Sequence, residues 1–88
     1  MCNHALYQKA IDTWGLESQQ IVAIEELSEL AKEICKVKRG VGNLNHLAEE
    51  IADVEIMCDQ LRYMFAADGL VDEWKKRKLM RLRERLGE

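Results

Sequence analysis

The chain has 88 residues, no proline, five glycines and 48% apolar residues. That length limits it to one small domain with a thin core, and the composition excludes both a disordered chain and a turn-rich β architecture. The formal net charge is only −3, but it is polarised. Residues 1–74 carry 14 acids and 6 Lys+Arg, a balance of −8, whereas residues 75–88 carry 2 acids and 7 Lys+Arg, a balance of +5. An acidic body suits a bound cation and a basic tail suits an anion. The three cysteines, Cys2, Cys35 and Cys58, are odd in number and widely spaced, which points to a reduced, cytoplasmic chain rather than a disulfide or zinc framework. No signal-peptide pattern and no membrane-length apolar run is seen, so no membrane partner is expected.

In chain order, four helices are expected. The first covers residues 4–14, with Ala5, Leu6, Ala10, Ile11 and Trp14 on a helical period, Asn3 as N-cap and Gly15 as the stop. The second starts at an N-cap Ser18 and runs to about Arg39, with Gly40 after it and Lys36, Lys38 and Arg39 in its last turn. Its main apolar stripe is Ala23, Leu27, Leu30, Ile34 and Val37. Glu26, Glu29 and Glu33 share one flank of that stripe, while Glu25 points elsewhere, nearly opposite Leu27.

The short loop Gly40-Val41-Gly42-Asn43 implies an antiparallel helical hairpin. Asn43 or Asn45 caps the third helix, which runs to about Asp68 and stops at Gly69. Leu47, Ile51, Val54, Cys58, Leu61 and Phe65 form its bundle seam. Ile56, Met57 and Met64 lie off the seam and form a second apolar face, which implies an oligomer. Cys35 and Cys58 read as small core residues. The last helix runs from near Val71 to about Leu86, with Leu70, Trp74, Leu79, Leu82 and Leu86 available for docking among seven cations. The fold class is therefore all-α, an antiparallel bundle of about four helices.

Two acid pairs carry the chemistry. Glu26 and Glu29 are three apart, and so are Glu50 and Asp53, a spacing that puts each pair on one helix face. In the hairpin the two pairs face each other. Like charges so placed repel, and a divalent cation removes the repulsion. Oxygen ligands select Mg²⁺ or Mn²⁺ over zinc. A solvated acidic face is the bland alternative. A di-iron bundle is excluded, because neither His4 nor His46 follows a Glu by three.

The double motif, Glu25-Glu26-Leu27-Ser28-Glu29-Leu30 followed by Leu47-Ala48-Glu49-Glu50-Ile51-Ala52-Asp53-Val54, resembles the all-α nucleoside triphosphate pyrophosphohydrolases, the MazG-like superfamily. The resemblance spans roughly residues 14–86, and the whole of 1–88 is then one such domain. It implies a Mg²⁺-dependent enzyme, with Mn²⁺ as a substitute, that splits a (d)NTP into monophosphate and pyrophosphate in nucleotide-pool sanitation or dNTP control. It implies Glu26, Glu29, Glu50 and Asp53 as metal ligands, and Glu25 as a base or an extra ligand. Glu33, on the ligand flank, either stands behind the ligands or is solvated.

The resemblance also implies phosphate contact by Lys78 and Arg81, which share a face at i, i+3. Trp14 and Gln19 lie where such proteins place base-contacting residues; Trp14 alternatively closes the core, and Gln19 alternatively sits in a first helical turn. A homo-oligomer, dimer or tetramer, is implied as well. Two other classes stay open. One is a non-catalytic helical assembly module whose acids are solubilising surface. The other is a nucleic-acid binder using the basic last helix, which so acidic a body disfavours.

Overall fold

The computed structural model describes residues 2–88, and among them are four helices and no strand. The helices are α1 (His4–Trp14), α2 (Leu16–Lys38), α3 (Leu44–Met64) and α4 (Asp68–Arg85). None is long and apolar enough to cross a membrane. The long pair α2 and α3 forms the body, α1 packs across both, and α4 packs against the end of α3, with its Asp68 also 3.8 Å from His4 of α1.

The joints explain where the expected boundaries hold and where they move. Gly15 alone joins α1 to α2, at φ 95° and ψ 149°, a conformation that costs a side-chain-bearing residue dearly. Its N–H donates to the Ile11 carbonyl, and its own carbonyl accepts from Gln19 N–H. Helix α2 therefore starts at Leu16, and Ser18 lies inside its first turn instead of capping it. At the other end of α2, Gly40 N–H donates to Val37 and Val41 N–H to Lys36, the paired bonds that close a helix on a left-handed residue. Asn43, not Asn45, caps α3: its side chain accepts from Asn45 N–H at 2.8 Å and His46 N–H at 3.1 Å.

Helix α3 ends four residues before the expected Asp68. Ala66 takes the left-handed conformation at φ 51°, with Ala66 N–H bonded to Tyr63 and Ala67 N–H to Arg62. Asp68 and Gly69 then belong to the first turn of α4. The cause is tertiary. Arg62 holds Asp72 at 2.8 Å and Asp68 at 3.5 Å, pinning the first turn of α4 to the end of α3.

The core also differs from the expected stripes. The facing line of α2 is Gln19, Ala23, Glu26, Leu30 and Glu33, all buried or half-buried. That of α3 is Glu50, Asp53, Met57, Gln60 and Met64. Both lines keep the 3–4 spacing of helices in a bundle. Gln19 opposes Gln60, and Glu26 opposes Asp53, which defines an antiparallel register. Met57 is thus a core residue, with Tyr7 and Ala23, rather than part of an outer face. Conversely, Ile51 and Phe65 of the expected seam are exposed, as are Leu27, Ile34 and Val37 of the expected α2 stripe. Cys35 and Cys58 are exposed and not core residues. Each helix is rotated by about one residue from the most apolar packing, and polar groups occupy the space between them.

A candidate metal centre between the two long helices

Where Glu26 in the third turn of α2 faces the second and third turns of α3, three carboxylates come together. Glu26, Glu50 and Asp53 each offer an oxygen, and these oxygens lie within 4.8 Å of one another. All three side chains are half-buried. Helix geometry does the placing: Glu50 and Asp53 share a face at i, i+3, and Glu26 faces them from α2 in the observed register.

The electrostatics are those of a site short of positive charge. Burial pushes the Glu26 carboxyl above its ordinary value of 4.5, and the charges of Asp53 and Glu50 push the same way. Burial also raises Glu50, followed by repulsion from Asp53, Glu29, Glu49 and Glu33. Glu50 Oε2 is buried with no hydrogen-bond partner. A buried carboxylate oxygen without a donor is unfavourable unless something else satisfies it. A hard divalent cation fits this donor set: three convergent carboxylates, one with an orphaned oxygen, and no nitrogen or sulfur ligand.

The other expected site residues fall as follows. Glu29 is exposed at the rim; its charge reaches Glu26 and Glu50, but it lies outside the three-oxygen cluster. Glu25 is exposed and also outside the cluster. Glu33 is buried, not solvated, and lies 3.5 Å from Lys36 Nζ. Lys78 and Arg81 are exposed on α4, which makes no contact with α2. Within the chain they are not brought to the carboxylates. Lys78 Nζ instead lies 5.9 Å from the Trp74 ring centroid.

Two turns along the hairpin, about 10 Å at 1.5 Å per residue, a second polar pair is buried. Gln60 Nε2 donates to Gln19 Oε1 at 2.8 Å, and the residues are 3% and 5% exposed. Both line an open cavity of about 460 Å³ that is walled mainly by α1, including Leu6, Ala10 and Trp14, with Ile56 of α3. Trp14 is 65% exposed, so it borders this cavity and does not close the core. Gln60 was legible only through the register. It lies seven residues after Asp53, as Gln19 lies seven before Glu26, so pairing the acids pairs the amides.

Comparison of the chain with models of protein families, with curated proteins and with solved structures finds no match.

Proposed function

We propose that this chain is a Mg²⁺-dependent nucleoside triphosphate pyrophosphohydrolase, cleaving a (d)NTP to the monophosphate and pyrophosphate. The observation that carries the reading is the convergence of Glu26, Glu50 and Asp53 on one point, with a buried Glu50 oxygen lacking a partner. These three residues would hold the ion, and Glu29 closes its rim. When bound, the ion supplies charge neutralisation on the phosphates and Lewis-acid activation of the attacking water. Glu25, outside the cluster and solvent-facing, is the available carboxylate for accepting a proton or adding a ligand. The Trp14 cavity, with Gln19 and Gln60 at its floor, is within a nucleotide's length of the carboxylates and would take the base. Lys78 and Arg81 would contact phosphate.

The alternative is a non-catalytic assembly module, favoured by the large exposed apolar surface of α2, α3 and α4. Turnover separates the two. Purified protein is incubated with a panel of NTPs and dNTPs and Mg²⁺, and products are resolved by anion-exchange chromatography. Pyrophosphate and monophosphate from at least one nucleotide are expected. A folded protein inert to the whole panel with Mg²⁺ or Mn²⁺ rules the enzyme out and leaves the assembly module.

A further inference from the structure

The hairpin keeps one register from its base to its loop. Gln19 meets Gln60, and seven residues on, Glu26 meets Asp53. Near the loop, Gly42 lies so close to Val37 that a Cβ on it would stand 2.6 Å from the Val37 nitrogen. The same register sets Glu33, seven residues after Glu26, opposite His46, seven before Asp53. His46 also continues the facing line of α3, one turn before Glu50 and on the same side. Its backbone N–H is taken by the Asn43 side chain, so the exposed ring is what it offers a ligand.

The line between the long helices has a direction. Helices α1 and α4 both gather where α2 begins and α3 ends: Tyr63 bonds Gln8, Arg62 bonds Asp72, and His4 lies 3.8 Å from Asp68. At that end the Trp14 cavity opens beside the amide pair. The carboxylate centre follows. Beyond it, toward the loop, come His46 and Lys36. Helical rise puts His46 about 6 Å along α3 from Glu50. Lys36 Nζ lies 3.5 Å from Glu33 Oε1, and among the described residues no other cation is paired with an acid of this region.

An ion at the three carboxylates offsets the charge of the phosphates it touches. Phosphates lying farther toward the loop are repelled by Glu29 and Glu33 unless a donor meets them. Lys36 and His46 are donors in that place.

We propose that Lys36 and His46 seat the terminal phosphates of a nucleoside triphosphate. The substrate then lies along the hairpin, its base at α1 and its phosphate tail toward the loop. This role rests on the pyrophosphohydrolase reading. The Glu33–Lys36 pair, at 3.5 Å, is longer than a charge-assisted hydrogen bond of about 2.8 Å, so the ammonium exchanges readily onto phosphate. Glu33 holds Lys36 while the seat is empty and competes with the phosphate for it. His46 adds a ring N–H, which it carries in either protonation state. Of the two products, pyrophosphate is the one held here, and the monophosphate does not reach this end.

The test needs no turnover. Inorganic pyrophosphate is titrated into the Mg²⁺-saturated protein by calorimetry, and nucleoside monophosphates are titrated in parallel. His46→Ala and Lys36→Met should each weaken pyrophosphate about 10-fold and leave monophosphate affinity unchanged. Because Lys36→Met leaves Glu33 buried and unpaired, Glu33→Gln/Lys36→Met is measured as well and should show the same loss. Glu33→Gln alone should tighten pyrophosphate, since its competitor for Lys36 is gone. Absence of pyrophosphate binding, or equal affinity in wild type and variants, overturns the seat. An equal loss for the monophosphates overturns the direction of the substrate.

Turnover of the nucleotide panel then separates the two readings. Wild-type protein that hydrolyses a nucleotide, with pyrophosphate inhibiting wild type and both single variants equally, overturns the seat while the function stands. Wild-type protein that binds pyrophosphate through Lys36 and His46 but hydrolyses nothing overturns the function while the anion seat stands.

Discussion

Helices α2 and α3 bury two polar clusters two turns apart, and the two meet burial in different ways. Gln19 and Gln60 are neutral, and the Gln60 amide donates to the Gln19 oxygen, so the pair is stable where it stands. Glu26, Glu50 and Asp53 have acceptors only, their charges repel, and one oxygen has no partner. The first cluster is complete within the chain. The second is complete only when something cationic joins it. The difference shows that a buried polar group is not in itself a sign of function; an unsatisfied one is.

The comparison can be broken or sharpened by four measurements. The largest effect is expected for Glu50→Gln, which should lower turnover by about 100-fold or more while raising the metal-free thermal midpoint, since one of the repelling charges is gone. Loss of turnover together with loss of stability would make Glu50 a structural residue. Next, Mg²⁺ at about 100 times its dissociation constant should stabilise the wild-type chain by about 2.7 kcal/mol, read as a rise in thermal midpoint that Glu50→Gln abolishes. No rise, or one equal in both proteins, would count against a site at these residues.

Gln60→Leu should cost about 1–3 kcal/mol in urea unfolding, because the Gln19 amide is left buried and unpaired. Gln19→Leu/Gln60→Leu should recover much of it, and Mg²⁺ binding should be unchanged throughout. If the cavity takes the base, the double variant also raises KM with little change in kcat.

The smallest expected effect is in pH. Glu26 and Glu50 have folded-state values raised above 4.5, so over the window from about 4.5 upward the folded chain holds more protons than the unfolded one. Stability of the metal-free protein should therefore fall as pH rises through that window and be regained on acidification to its lower edge. The opposite slope in this window, persisting in Glu26→Gln, would mean the cluster is not strained.

Much of this was legible from the chain itself. Absence of proline, glycines at Gly15 and Gly40 and the acid spacing predict the all-α class, the first two helix ends and the facing of Glu26 with Asp53. The helix faces were misread because apolar count is a poor guide to packing in a chain this small. Periodicity identifies Ile51, Cys58 and Phe65 as a stripe but does not say whether that stripe faces its own hairpin. The α3–α4 boundary was misread for a different reason. Gly69 is the expected stop, yet the break comes at Ala66, where Arg62 reaches across to Asp68 and Asp72.

By itself the sequence determined the helices, the hairpin and which acids could meet, because these follow from local dihedral preference and from spacing along a helix. Only the tertiary structure decided that carboxylates and amides, not the most apolar rows, lie between α2 and α3, and that α4 stands away from the body. Rotation of one helix about its axis against another depends on side chains far apart in the chain, and no local pattern encodes it.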